Sequence, residues 1–245
     1  MNSLSIEELN QYVNTNIVKF HENRLRVIQT LTLEKLLNKN PYLFKAKNIN
    51  KAHELVEGTM EAFLSSSEEK IFGDFLEGLA IFVASKTTGG HKSSSQGVDL
   101  EFEKENTYYL VTIKSGTNWG NSSQHKKLAD DLRNAEIRLK QSKSISKVQS
   151  VLGICYGKTK TGYTSAGYLK IVGQNFWTFI SGNKNLYLEI IEPVGFRAKE
   201  HNDRYLNAKA GITNMLIGSF IDKFCDSKGI INWEKVVKVN SGNDD

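Results

Sequence analysis

The chain has 245 residues, with hydrophobic residues at 39% and charged residues at 24%, which fits one large globular α/β domain or one domain with an elaboration. No apolar run approaches the ~20 residues of a membrane helix, and two cysteines, Cys155 and Cys225, exclude a disulfide framework and a cysteine-rich zinc site. The net charge of +5 and pI of about 9.0 permit a polyanionic partner without requiring one.

The first residues, Met1 to Glu8, lack a basic region followed by an apolar stretch, so no secretory signal is expected and the expected compartment is the cytoplasm. Residues 5 to about 38 read as helix, with Leu9, Tyr12, Val13, Ile17 and Phe20 at helical spacing and Ser5 and Glu8 in capping-box positions. A break from Asn38 to Asn48 contains Pro41. A further helix is expected over 50–64, ending in Ser65-Ser66-Ser67, and another from Ser67 to about Ala84. The latter is apolar over most of its circumference, with a narrow polar stripe that includes Lys70, Asp74 and Glu77. Gly73 and Gly78 flank Glu77; glycine destabilises a helix relative to alanine, which points to close packing there. Residues 1–65 are expected to form an N-terminal helical region or subdomain, and 66–245 the core with C-terminal helices.

A Gly/Ser-rich loop from Thr87 to Gln96 leads into Gly97-Val98-Asp99-Leu100-Glu101-Phe102, a short polar break, and Tyr108-Tyr109-Leu110-Val111-Thr112-Ile113-Lys114. This reads as a β-hairpin. If Phe102 pairs with Tyr109, Asp99 falls opposite Thr112, and Lys114 is its diagonal neighbour on the same face. Diagonal neighbours lie roughly 7–8 Å apart, a gap that suits an ion and a water between an acid and an amine. Aspartate ligates Mg²⁺, which takes oxygen donors and few protein ligands; the ion acidifies a bound water, and a lysine stabilises charge growing on a phosphate. An ordinary half-exposed hairpin with polar residues on its outer face fits the same pattern.

The loop Ser115-Gly116-Thr117-Asn118-Trp119-Gly120-Asn121-Ser122-Ser123-Gln124 follows at once. Its glycines allow backbone N–H groups to approach phosphates, and Asn or Gln side chains read adenine edges. Ser115, Asn118, Trp119, Asn121, Ser122, Ser123 and Gln124 are therefore candidate nucleic-acid contacts, with His91 and Lys92 from the loop before the hairpin. Gln124 equally suits a simple helix cap. An amphipathic helix is expected from Gln124 to about Ser142, with Leu128, Leu132, Ala135 and Leu139 as its apolar stripe. A strand buried on both faces follows at Val148 to Tyr156, so that the helix becomes a βαβ crossover. Tyr168 to Val172 reads as another strand, and helices are expected near 174–181, 201–225 and 232–238. The glycine-rich segments lack the phosphate-loop pattern ending in Gly-Lys-Ser/Thr, so no nucleotide cofactor is expected.

Asp99, the lysine ending the next strand, and a preceding helix that carries Glu77 together resemble the PD-(D/E)XK nuclease superfamily. Longer strings are more specific. Asn40-Pro41-Tyr42-Leu43-Phe44-Lys45-Ala46-Lys47-Asn48, Phe72-Gly73-Asp74-Phe75-Leu76-Glu77, Gly97 to Phe102, Ile113 to Gln124, Val151 to Lys158 and Gly173-Gln174-Asn175-Phe176-Trp177 resemble the PmeII-like family of type II restriction endonucleases. The resemblance implies an α/β, restriction-endonuclease-like fold, a mixed central β-sheet flanked by helices with additional N- and C-terminal helices. It implies Mg²⁺-dependent (or Mn²⁺-supported), sequence-specific hydrolysis of double-stranded DNA by a homodimer. Carried over, Asp99 is the principal metal ligand, Lys114 the catalytic lysine and Glu77 the helix-borne acid. The sequence departs from the pattern at Thr112, where an acid is expected. Glu77 is the first candidate to replace it, Glu101 the second, and Asp130 and Asp131 follow. A DNA-binding protein with a decayed site, and a repair or defence nuclease of the same superfamily, remain as alternatives.

Overall fold

A computed structural model describes residues 4–142 and 147–243. In chain order the elements are α1 (Ile6–Gln29), α2 (Leu33–Leu37), α3 (Pro41–Ala46), α4 (Ala52–Thr87), β1 (His91–Lys92), β2 (Leu100–Lys104), β3 (Thr107–Lys114) and α5 (Ser122–Ser142). There follow β4 (Val148–Ile154), β5 (Gly162–Tyr163), β6 (Leu169–Val172), α6 (Gln174–Ser181), α7 (Leu186–Glu189), α8 (Ile191–Val194), α9 (Ala198–Phe224) and α10 (Trp233–Ser241). Among the described residues no helix is long and apolar enough to cross a membrane.

The chain divides into two compact units: the described residues up to Val18 with Phe72–Phe196, and Lys19–Ile71 with Arg197 onward. The boundary expected near residue 65 falls within α4.

The first unit holds one six-stranded sheet in the order β1-β2-β3-β4-β6-β5. It is mixed: β3, β4 and β6 run parallel, and β1/β2, β2/β3 and β5/β6 pair antiparallel. The expected hairpin register holds, with Phe102 opposite Tyr109. Its turn is Glu105-Asn106, both at positive φ (50° and 58°), the twist-matched geometry of a two-residue hairpin loop. α5 is the crossover between the parallel strands β3 and β4, and its Leu128, Leu132 and Ala135 pack on Tyr108, Leu110, Leu152 and Ile154. In the same unit Phe102 stacks on Tyr109 with ring centroids 5.1 Å apart, and Phe179 meets both rings. Trp177 Nε1 donates to the Cys155 carbonyl at 2.9 Å, tying α6 to the end of β4.

The second unit is helical. Ile28, Leu36, Phe44, Val56, Met60, Leu216, Phe220 and Val236 are among its core residues. Within it Arg24 lies over the Tyr205 ring at 3.6 Å and pairs with Glu68 at 2.6 Å.

Several expected boundaries move. The first helix ends at Gln29 rather than 38, because Thr32 leaves the helix to cap α2, its hydroxyl accepting from Lys35 N–H. The Pro41 break contains a short helix: Asn40 Oδ1 accepts from the N–H groups of Tyr42 and Leu43, and Pro41 occupies the first turn, where its missing donor is harmless. The expected stop at Ser65-Ser66-Ser67 is absent, and α4 runs unbroken for 36 residues. Ser66 satisfies its hydroxyl on the Ala62 carbonyl one turn back, which lets serine sit inside a helix. The Ser5/Glu8 capping box forms in both directions.

Gly153, one residue before the end of β4, sets how closely α6 approaches. A Cβ there would lie 2.2 Å from the Phe176 ring, which is fully buried and has no room to withdraw. We expect Gly153→Ala to lower unfolding free energy by about 3 kcal/mol through overpacking, read as a fall in the urea midpoint, with partial recovery when Phe176→Leu is added.

Candidate active site

The site lies in the first unit, at the carboxyl end of the parallel strands. β3 ends at Lys114, beside Ile154 of β4. Across the hairpin Asp99 stands just outside β2, one residue before the Leu100–Val111 pair. Its backbone joins both neighbours: the N–H donates to the Val111 carbonyl at 2.9 Å, and its carbonyl accepts from Ser93 N–H at 3.1 Å. Its carboxylate takes the next position of the ladder, where Oδ2 accepts from Ile113 N–H at 2.7 Å. The hairpin itself therefore fixes the side chain.

Asp99 and Glu77 are electrostatically coupled. Burial pushes the Asp99 carboxyl above its ordinary value of 3.8, opposed by the Ile113 N–H and by the charges of Lys114 and Lys92. Burial is also the main cause that raises Glu77, and the negative charge of Asp99 raises it further, with Lys92 opposing. Lys92 Nζ lies 3.5 Å from Glu77 Oε1. Glu77 is presented by α4 one turn after Gly73, which faces the Ser115 side chain; Gly78 faces the Tyr12 hydroxyl. Close packing holds at Gly78, where a Cβ would lie 3.0 Å from the Tyr12 hydroxyl, whereas at Gly73 it would make only an ordinary contact, 3.7 Å from Ser115 Oγ.

The other expected acids are placed differently. Glu101 is buried, its Oε1 accepting from Ser93 Oγ at 2.5 Å and its Oε2 from the Tyr108 hydroxyl at 2.8 Å, with His91 Nε2 4.0 Å away. Asp131 lies over the backbone of Gly97, so close that a Cβ on Gly97 would touch its carboxylate. Asp130 is exposed on α5. Thr112 is buried and its hydroxyl donates to the Gly97 carbonyl. It thus clamps the turn that delivers Asp99, a use of the hydroxyl that no acid at this position would reproduce.

In the loop after β3, Lys114 Nζ lies 5.5 Å from the centre of the Trp119 ring, and Trp119 packs on His125 at 4.2 Å. Asn121 and Gln124 cap α5 reciprocally: Asn121 N–H donates to Gln124 Oε1 at 2.8 Å, and Gln124 N–H to Asn121 Oδ1 at 3.1 Å. Asn118, Ser122 and Ser123 are exposed, as are His91 and Lys92 on the edge strand β1. Sequence reasoning missed Ser93 and Tyr108 as the holders of Glu101, and Tyr156, whose ring packs so tightly on Gly116 that a Cβ there would clash at 2.6 Å. The signal for Tyr156 was Gly116 itself, one of the loop glycines read as phosphate-approach positions.

The family described as type II restriction endonuclease EcoO109I matches residues 7–202. The chain belongs to this family. No match is found among curated proteins. The EcoO109I family match spans the whole sheet, Glu77, Asp99 and Lys114, and the mixed six-stranded sheet flanked by helices is the restriction-endonuclease-like architecture that the resemblance implied.

Among the described residues no group of three or more His, Cys, Asp or Glu side chains is arranged to hold a metal ion. Two carboxylates raised chiefly by burial, Glu77 also by the charge of Asp99, nevertheless fit a hard divalent cation, because Mg²⁺ takes one or two protein carboxylates and fills its remaining positions with water and phosphate oxygen.

Burial of the Asp99 carboxyl has a measurable cost in the metal-free protein. A carboxyl raised on folding binds more protons in the native than in the unfolded state, so stability falls as pH rises from the ordinary value of 3.8 through the folded one and stays lowered above it. Asparagine keeps an oxygen for the Ile113 N–H and removes the charge. In EDTA, Asp99→Asn should raise the urea midpoint at neutral and alkaline pH, and the gain should vanish at pH values below 3.8.

Proposed function

We propose that this protein is a Mg²⁺-dependent, sequence-specific endonuclease that hydrolyses phosphodiester bonds in double-stranded DNA and leaves 5′-phosphate ends. The observation that carries the reading is Asp99, held by Ile113 N–H within electrostatic reach of Glu77 and Lys114 at the carboxyl end of β3, in a chain of a restriction endonuclease family. The long sequence strings that resemble PmeII-like enzymes are a finer affinity within the same reading.

Asp99 and Glu77 would hold the ion, and Mn²⁺ would substitute for Mg²⁺. The bound ion supplies an acidified water and neutralises charge on the phosphate. Asp99 is oriented by Ile113 N–H and cannot swing away without breaking the ladder end. Lys114 stands at the end of the same hairpin, directed by its strand and by the Trp119 ring; it would orient the attacking water and stabilise the negative charge of the transition state. Thr112 and Gly97 keep the Asp99 turn in place, and Glu101, bound by Ser93 and Tyr108, braces the hairpin.

The loop Ser115, Asn118, Trp119, Asn121, Ser122, Ser123 and Gln124, with His91 and Lys92, would face DNA. Asn121 and Gln124 would do so while capping α5, which presents the exposed first turn of that helix to a phosphate. A symmetric target would match a homodimer, since two-fold symmetry in the duplex is met by two-fold symmetry in the protein.

The direct test is incubation with phage DNA in Mg²⁺ and in EDTA. Discrete fragments in Mg²⁺ alone are the expected result; a smear would favour a nonspecific or repair nuclease, and intact DNA with retained binding under every divalent ion a decayed site at Thr112. Asp99→Ala and Lys114→Ala should each lower the single-turnover cleavage rate by at least about 10²–10³-fold while leaving DNA retardation on gels intact. Full cleavage by either would remove that residue from the mechanism.

A further inference from the structure

Lys92, assigned above only to the residues that would face DNA, also stands at the acid pair. It projects from the two-residue edge strand β1, which pairs with β2 through His91–Glu101 and Lys92–Leu100 and is followed by Ser93, whose N–H donates to the Asp99 carbonyl. Its ammonium is 3.5 Å from Glu77 Oε1, and its charge also reaches Asp99. The Lys92 side chain is 72% exposed and that of Glu77 30%, so the cation reaches inward from solvent on a flexible four-carbon stem. Lys114 differs: it belongs to the long strand β3, and its ammonium lies by the Trp119 ring. Two partly desolvated carboxylates close together call for a positive charge between them. In the protein without metal, Lys92 is the side chain that ion-pairs with Glu77.

We propose that Lys92 is a built-in placeholder for the divalent ion: it fills the Glu77–Asp99 pair in the free protein, is displaced when the ion enters, and then contacts a DNA phosphate. The proposal rests on the metal-site reading given above. A monovalent ammonium on a mobile stem yields to a divalent ion because the ion interacts with both acids at once and keeps its remaining waters. The released ammonium is then a free positive charge at the rim of the site where a polyanion arrives. By linkage, the ion would tighten DNA and DNA would tighten the ion by the same factor. Lys92 acts through the acids and the duplex, as a positioning residue.

The test begins with Mn²⁺ binding to the full chain without DNA, by calorimetry or by loss of the free-ion paramagnetic resonance signal. Lys92→Gln removes the competitor and should tighten Mn²⁺ binding about tenfold, because the competent state no longer has to expel an ammonium. Equal or weaker binding overturns the proposal. Asp99→Asn separates the two levels of the argument: if it leaves Mn²⁺ affinity unchanged, the metal-site reading itself fails, whereas if it abolishes binding and Lys92→Gln still gives no tightening, the placeholder alone fails. The second arm uses a short mixed-sequence duplex and fluorescence anisotropy over a range of salt, in Ca²⁺ and in EDTA. In Ca²⁺ the Lys92→Gln protein should lose about one phosphate contact from the salt slope; in EDTA its slope should equal that of the parent. The same loss in EDTA would show that Lys92 meets DNA whether or not the acids hold an ion, and would overturn the displacement step.

Discussion

An ionised carboxylate loses solvation when it leaves water, and protein groups have to replace what it loses. For Asp99 the replacement is a backbone N–H, that of Ile113, donated to Oδ2 at 2.7 Å in the place where a ladder carbonyl would otherwise sit. This one bond ties a functional side chain to the rigidity of the central hairpin. It also leaves the deficit incomplete, since the carboxyl is raised despite it and despite two neighbouring lysines. The remaining imbalance makes added positive charge favourable at this position. Glu77, raised first by burial and then by Asp99, shares the imbalance from the α4 side.

The surrounding unit is arranged to keep that hairpin still. The two-residue turn at Glu105-Asn106 fixes the register, and the register fixes where Asp99 stands relative to Lys114. Thr112 donates to the Gly97 carbonyl, and Asp131 covers Gly97 from α5, so the approach to Asp99 is held from two elements. Glu101 supplies a second brace through Ser93 and Tyr108, linking the loop before the hairpin to the strand after it. On β4, Gly153 admits the Phe176 ring, and the Trp177 indole bonds to the Cys155 carbonyl, which anchors α6 at the carboxyl edge of the sheet. Position 112 illustrates the logic. The superfamily pattern expects an acid there; the threonine instead stabilises the turn through the Gly97 carbonyl.

Much of this was legible in the chain. Alternation across residues 98–102 and 108–114 gave the hairpin, and its register holds from the Phe102–Tyr109 pair to Leu100–Val111, because side chains on paired strands obey a fixed period; Asp99, expected opposite Thr112, instead lies beyond the last pair with its N–H on the Val111 carbonyl. The amphipathic run 124–142 between two apolar strands gave the parallel crossover. The long strings of the resemblance pointed to the restriction endonucleases, and the matched family agrees at that level. Less legible were the helix limits. Ser65-Ser66-Ser67 reads as a stop, yet Ser66 bonds to its own helix; Pro41 reads as a loop, yet Asn40 caps a helix behind it. Such local choices depend on which partner a short polar side chain finds.

The sequence by itself determined the strand register, the presence of an acid and a lysine at the open end of one hairpin, and the crossover that makes the neighbouring strand parallel. These follow from periodicities that act over a few residues. Tertiary structure alone decided which acids meet. Glu101 lies two residues after Asp99, in β2, but is bound by Ser93 and Tyr108, while Glu77, 22 positions away in sequence, feels the charge of Asp99 from α4. It also decided that Lys92 leans into the pair from the edge strand. The reason is physical: charge coupling depends on distance and burial in the folded chain, and neither is encoded in the spacing of residues along it.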